Sequence, residues 1–251
     1  MESNHLRLAG WLSMPEPLVA EAAGRAGFDW VGIDLQHGAW DLATAIRGIQ
    51  VLDLLKVPVL VRVAEDELHL IPHVLDQGAA GIVIAMVSGV GPVADAIARA
   101  RYQPEGRRSY GGQRYGLRGE PAEIATIRPA VYAMVEGRAA LAQIEAIASV
   151  PGVAGIHVGP VDLCLDLGIG TNRAHPLCHE ALQRIVAATH AAGLPAVMHA
   201  VTTEQVAPMI AAGFDELVLT ADIELMRAAF ADRIAGARQA AASQGRGPQP
   251  R

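Results

Sequence analysis

The sequence predicts a (β/α)₈ barrel, and three observations carry that prediction. First, eight short apolar runs alternate with eight longer, alanine-rich amphipathic stretches within 251 residues, the arithmetic of eight βα units. Second, the apolar runs are continuous and rich in β-branched residues, as parallel strands buried on both faces are. Third, helical stretches close on glycine before the next apolar run, as in AGFDWVGID, QGAAGIVIA, AGLPAVMHA and AGFDELVLT. Glycine just past a helix end is C-cap chemistry. The competing architecture, a doubly wound open sheet, usually carries a Gly-rich phosphate-binding turn after its first strand. Here Leu12 is followed by SMPEP, so the barrel is favoured.

In chain order, the first strand is the run LAGWL at 8–12, followed by a helix over 18–26 that stops at Gly27. Strand 30–34 (WVGID) leads to helix 42–55, which Asp41 is placed to cap. Strand 58–63 (PVLVRV) leads to helix 68–76, and strand 81–86 (GIVIAM) to helix 92–101. Strand 131–136 (VYAMVE) precedes helix 139–149, and strand 155–158 (GIHV) precedes helix 176–192. Strand 195–199 (PAVMH) with helix 203–212, and strand 216–220 (ELVLT) with helix 223–241, complete one domain over 1–241. Two stretches break the rhythm. Residues 102–129 form a long Gly- and Arg-rich connection, of the length that serves function or assembly. The polar tail at 242–251 reads as a disordered end.

Composition narrows the function. Acidic residues outnumber basic ones, 26 to 20, giving a net charge of −6, which argues against nucleic acid as a partner. A charged fraction of only 18% beside 51% hydrophobic residues excludes a disordered chain. The longest apolar run, AAGIVIAMV at 79–87, is half the length a bilayer-spanning helix needs, about 20 residues. The first ten residues hold Glu2, His5 and Arg7 and no apolar segment of a secretory signal, so a cytoplasmic protein is expected. Cys164 and Cys178 lack metal-ligand spacing and read as buried small side chains. Nineteen of the basic residues are Arg, and Lys56 is the single lysine, so Schiff-base chemistry has one candidate.

In a barrel of this type chemistry sits at the C-terminal ends of the strands. Those ends carry Asp34 with Gln36 and His37, then Arg62, Glu136, the run Gly159-Pro160-Val161-Asp162, and His199. Glu136 follows VYAMV at the mouth of an apolar pocket, where an unpaired carboxylate is costly. Asp162 comes from the adjacent strand end, and two carboxylates with waters suit an octahedral Mg²⁺ or Mn²⁺, with Co²⁺ or Zn²⁺ as further candidates. The plain structural alternatives are an ion pair from Glu136 to Arg138 or Arg62, and helix capping by Asp162. Arg62 suits a carboxylate or enolate oxygen; the alternative is an ion pair with Asp34 or Glu65. Asp34 stands three residues before His37, close enough for a carboxylate to set an imidazole's tautomer and basicity. His69 and His73 are four apart but flank Pro72 and lack the glutamate of a metalloprotease motif, and His199 reads as structural.

The segments AGFDWVGIDLQHG, VPVLVRV, MVEGRAAL and GIHVGPVDLCLDLG, in this order, resemble the HpcH/HpaI aldolase family. Its members are metal-dependent (class II) pyruvate aldolases, with 4-hydroxy-2-oxoheptanedioate and 2-dehydro-3-deoxyglucarate aldolases among them. The resemblance implies a TIM barrel of the phosphoenolpyruvate/pyruvate-binding type whose last helix swaps onto a neighbour, giving a homo-oligomer, hexameric or trimer-based. It implies a divalent cation held by Glu136 and Asp162 and chelated by the carboxylate and keto oxygens of a 2-oxoacid donor. It further implies that Arg62 contacts the keto or enolate oxygen and that the backbone N–H groups of Gly159 and Val161 take the carboxylate. His37, oriented by Asp34, would support a water that serves as base and acid, and an aldehyde would be the acceptor. Two positions depart from the family pattern: Gln36 replaces a glutamate, and Met134 stands where a glutamine is common. Both bear on donor choice, and hydroxypyruvate joins pyruvate as a candidate. The alternatives are a citrate-lyase-β-like enzyme using the Arg-rich stretch 107–118 for acyl-CoA phosphates, a Schiff-base aldolase using Lys56, and a non-catalytic barrel.

Overall fold

The computed structural model describes residues 5–111, 113–118, 126–200 and 202–244. Eight strands follow one another around a closed, all-parallel barrel: β1 (Arg7–Leu12), β2 (Trp30–Asp34), β3 (Val59–Ala64), β4 (Gly81–Ala85), β5 (Ala130–Val135), β6 (Gly155–Val158), β7 (Ala196–Ala200) and β8 (Glu216–Ala221). β8 closes on β1 through Arg7↔Glu216 and Ala9↔Val218. Every strand boundary falls within one residue of its expected place.

Around the barrel lie α1 (Pro17–Gly24), α2 (Leu42–Leu54), α3 (Ile71–Asp76), α4 (Val90–Ala100), α5 (Gln113–Arg118), α6 (Arg138–Ala142), α7 (Ile144–Ala148), α8 (Pro160–Asp166), α9 (Pro176–Ala191), α10 (Thr203–Ala211) and α11 (Asp222–Ser243). Asp41 caps α2 as expected: its carboxylate accepts from the Thr44 N–H at 2.7 Å, and Thr44 Oγ1 accepts from the Asp41 N–H at 3.0 Å. Two expected helices are each divided. The stretch 68–76 is a 3₁₀ turn, Glu65–Leu70, followed by α3, because Pro72 lacks an N–H and so occupies the first turn of a new helix. His69 and His73 therefore lie on different elements, both exposed. The stretch 139–149 breaks at Gln143, whose φ of −112° is not helical. α5 and α8 went unpredicted, being too short to show a 3.6-residue period. α11 continues through Ser243, past the expected domain limit, and 245–251 lie outside the described residues.

Two apolar layers hold the fold. Between sheet and helices, Ile33, Val61, Ile82, Ile84 and Ile156 meet Ile49, Leu52, Ile71 and Ile144, all fully buried. Each such side chain contributes roughly 1.5–3 kcal/mol. Inside the barrel, Ala9, Trp11, Trp30, Leu60, Val83, Tyr132, Met134, Val197 and Val218 form a separate cluster. Its lower end holds a carboxylate that the sequence reading did not single out. Glu216, 1% exposed, accepts from Arg7 Nη1 and Trp30 Nε1, each at 2.7 Å, and from the Tyr132 hydroxyl at 3.3 Å. Burial and the neighbouring carboxylate push Tyr132 up to about 12, so it stays a donor. A buried carboxylate persists only when paired in this way.

Cys164 and Cys178 are both free and buried, with Sγ atoms 3.0 Å apart, and they join α8 to α9. Burial and then the adjacent thiol hold Cys178 up at about 12, which suppresses the thiolate. No helix among the described residues is long and apolar enough to cross a membrane.

Candidate active site

Alternation along each strand sends every second side chain into the barrel. At the C-terminal end this brings together Trp11, Asp34, Arg62, Met134, Glu136, His157 and His199.

Asp34 and Arg62 are register partners on β2 and β3. Their side chains form a bidentate pair, Nε to Oδ1 at 2.8 Å and Nη2 to Oδ2 at 2.6 Å. Trp11 Nε1 donates to Asp34 Oδ2 at 3.4 Å, and the Trp11 ring lies 5.3 Å from the guanidinium carbon, a cation–π contact. Gly32 makes room for that indole, since a Cβ there would lie 2.3 Å from Trp11 Cε3. Burial alone would raise the Asp34 carboxyl, but the hydrogen bonds and charge of Arg62 outweigh it and hold Asp34 low. Arg62 Nη1 meets only Met134 Sδ at 3.8 Å, so its N–H groups have no oxygen acceptor among the described residues.

This pairing corrects the expected role of Asp34. Its Oδ1 accepts from the backbone N–H of Gln36 at 3.0 Å and of His37 at 3.1 Å. The carboxylate thus shapes the β2–α2 turn and Arg62, and it reaches His37 through the backbone, not through the imidazole. His37 itself is exposed at the mouth. The structural alternative for Arg62, an ion pair with Asp34, is present, and Arg138 pairs with Asp166 instead of Glu136.

Glu136 is the first residue past β5 and is 3% exposed. The N–H of Met86 donates to Oε1. Met86 adopts a left-handed φ of +54°, strain of the sort that functional sites retain. Burial pushes the Glu136 carboxyl up. The Met86 N–H and Arg62 oppose this, while Asp162 and Asp34 add to it. Asp162 lies in the first turn of α8 and is partly buried. Gly159 makes the carboxylate's position possible: a Cβ there would stand 2.3 Å from Glu136 Oε2. The expected use of the Gly159 N–H is corrected, because it already donates to Val135 O at 3.2 Å. Val161, exposed in the first turn of α8, has no preceding helical carbonyl for its own N–H.

Trp11, Met86 and His157 carry site geometry that sequence reasoning missed. Only Trp11 offered a signal, as an aromatic at the end of a predicted strand. His157 is fully buried, and neither ring nitrogen has a hydrogen-bond partner among the described residues. Its ring centroid lies 4.9 Å from that of His199 and 5.8 Å from that of Trp11. Burial, then Arg62, lowers His199 to about 4, and burial, then His199 and Arg62, lowers His157 as well.

Both shifts make the fold sensitive to mild acid. An unfolded-state imidazole titrates at about 6.5, so between that value and about 4 the unfolded chain binds the additional proton at His199. Stability is complete above about pH 6.5 and falls as pH drops toward 4, by up to about 3 kcal/mol at His199, the upper end for a partly exposed ring. The urea midpoint is expected to fall between pH 7 and pH 5, and His157→Phe to shrink that fall. A midpoint independent of pH over this range would contradict the assignment.

Lys56 lies on the opposite face. With Arg114 it lines a cavity of about 870 Å³ beside the N-terminal ends of β3 and β4. Arg107, Arg108 and Arg114 of the Arg-rich stretch pair with Asp95, Asp76 and Asp53. Those three guanidinium groups are thus neutralised by helix-layer carboxylates.

The structure is thus a closed parallel barrel with buried acidic and guanidinium groups at its C-terminal mouth, the face where barrels of this class place their active sites. The profile of the HpcH/HpaI aldolase/citrate lyase family matches residues 7–226, and the chain belongs to that family. It is accordingly a carbon–carbon lyase. A hydroxypyruvate/pyruvate aldolase of Rhizorhabdus wittichii is 34% identical over 237 residues, covering 92% of this chain and 94% of that protein. A 4-hydroxy-2-oxovalerate aldolase of Rhodococcus jostii is 32% identical, covering 88% and 90%. Among solved structures, an HpcH/HpaI aldolase/citrate lyase family protein from Burkholderia cenocepacia aligns with a TM-score of 0.87 and 27% identity, over 94% of this chain and 96% of that one.

Proposed function

We propose that the chain is a metal-dependent aldolase that forms and cleaves 4-hydroxy-2-oxoacids, joining the enolate of pyruvate or hydroxypyruvate to an aldehyde. The observation that carries this reading is Glu136: a buried carboxylate that forms no ion pair among the described residues, given space by Gly159 and accompanied by Asp162. Among the described residues no group of three or more His, Cys, Asp or Glu is placed to hold a metal, and the proposed donor set is the two carboxylates Glu136 and Asp162. Such a set suits a hard cation that keeps positions for substrate and water, Mg²⁺ or Mn²⁺ before Co²⁺ or Zn²⁺. Glu136 and Asp162 would hold it, and when bound it supplies Lewis acidity to the 2-oxoacid's oxygens.

The chain's own residues account for the rest. Arg62 Nη1 directs its N–H groups at the keto oxygen, where negative charge grows as the C3–H bond breaks. Asp34 and Trp11 fix that guanidinium. The Val161 N–H accommodates the donor's carboxylate. The C3 proton passes to a water supported by the exposed His37 ring, whose Asp34-held backbone fixes its place. C3 then attacks the aldehyde carbon, and the new alkoxide takes the proton back; cleavage is the reverse.

Exchange of the methyl protons of pyruvate with deuterium oxide, followed by NMR, tests this. Exchange is expected with Mg²⁺ or Mn²⁺, and EDTA is expected to stop it. Absence of metal-dependent exchange with any 2-oxoacid would overturn the reading.

The chain is further proposed to work as a homo-oligomer through α11. That helix spans 22 residues with only Asp222 buried, and it exposes Ile223, Leu225, Phe230 and Ile234. Asp222 anchors its start by accepting from the N–H groups of Ser13 and Met14. Light scattering is expected to show a trimer or hexamer that shortening α11 converts to smaller species. A monomeric full-length chain would refute the assembly.

A further inference from the structure

We propose that His199, braced by His157 and Trp11, is the specificity-determining residue for the donor's third carbon, hydrogen-bonding a hydroxyl there and so favouring a C3-hydroxylated 2-oxoacid over one ending in methyl. The inference rests on the aldolase reading above.

Strand register places the ring. Met134 pairs with His157, and His157 with Val197, so Glu136, Gly159 and His199 are the next inward positions on three adjacent strands. His199 therefore stands at the level of the Glu136 carboxylate and is partly exposed at the mouth. Two edge-on aromatic contacts hold its plane, to His157 at 4.9 Å and to Trp11 at 5.1 Å.

The pair is a poor packing solution. Behind His199, His157 is 0% exposed with both nitrogens unpartnered among the described residues, which costs about 1–3 kcal/mol for each unmet buried polar group. A phenyl ring would fill the same space without that cost. His199 is the member of the pair that is partly exposed at the mouth, so its ring is the one that a polar ligand atom can reach.

Elimination identifies the atom. Glu136 and Asp162 serve the cation, Arg62 the keto oxygen, and Val161 the carboxylate. Among the donor's own atoms a C3 substituent then lacks a partner, and His199, level with Glu136, makes no hydrogen bond among the described residues. Met134, beside His157, has no N–H or O–H to offer. A neutral imidazole carries one donor and one acceptor nitrogen, matching a hydroxyl, which is both. Burial and Arg62 keep His199 neutral at pH 7, which suits recognition and makes it a weak base for proton abstraction.

The test compares kcat/KM for hydroxypyruvate and pyruvate with one aldehyde acceptor, using the Mn²⁺-loaded full chain. His199→Phe is expected to lower the hydroxypyruvate-to-pyruvate ratio at least tenfold. His157→Phe should lower it less, and His199→Gln, which retains a donor and an acceptor, should recover part of it. Because the readout is a ratio, partial unfolding cancels. An unchanged ratio in His199→Phe, or equal loss for both donors, would overturn the proposal while leaving the aldolase reading intact. Absence of exchange with both donors in the unaltered protein would remove the aldolase reading and this inference together.

Discussion

Glu136→Gln is expected to lower turnover by about 10²- to 10³-fold, the range for removing one group that stabilises developing charge. Mg²⁺ and Mn²⁺ affinity should fall with it. The metal-free protein should meanwhile be no less stable. Burial already disfavours the ionised Glu136, and glutamine keeps the volume and the Met86 contact without the charge. Lost function with retained or higher thermal stability is the signature of a residue kept for chemistry. Gly159→Ala should reproduce the functional loss by another route, since its Cβ would stand 2.3 Å from Glu136 Oε2 and the flanking Val158 is fully buried. Calorimetric metal titration beside a turnover assay and a melting curve tests both variants. Unchanged metal affinity in Glu136→Gln and Asp162→Ala would remove the metal assignment.

Arg62→Ala carries the second large effect, on stability and chemistry together. It leaves Asp34, 2% exposed, without its cation, and breaking one side of a buried pair costs about 3–5 kcal/mol. Turnover should fall by a further 10²-fold or so, because Nη1 is the guanidinium nitrogen left for the keto oxygen. Metal binding should persist. Arg62→Lys should recover little, since an ammonium cannot make the two parallel bonds to Asp34. The double variant Asp34→Ala/Arg62→Ala separates the two effects: stability should return in large part and activity should not. Urea denaturation and pyruvate exchange on the same samples decide this. Activity that returned with stability would make the pair purely structural.

Much of the fold was legible because its signals are local. Continuous β-branched runs, terminal glycines such as Gly27, Gly193 and Gly213, and the Asp41 cap each report on a few neighbouring residues. Placement of Glu136, Asp162, Arg62 and Lys56 followed from counting strand ends, and the helix breaks at Pro72 and Gln143 were missed because short helices show no period.

By itself, then, the sequence determined the barrel, its strand boundaries and most of the ionisable groups gathered at one rim, His157 excepted. Tertiary structure alone decided who partners whom there. Asp34 pairs with Arg62 and not with the His37 ring, and the Gly159 N–H belongs to Val135 while its missing Cβ belongs to Glu136. His157 and His199 meet over Trp11 from strands far apart in sequence. The reason is physical: which inward side chains touch depends on inter-strand register and barrel closure, and no local window of sequence encodes either.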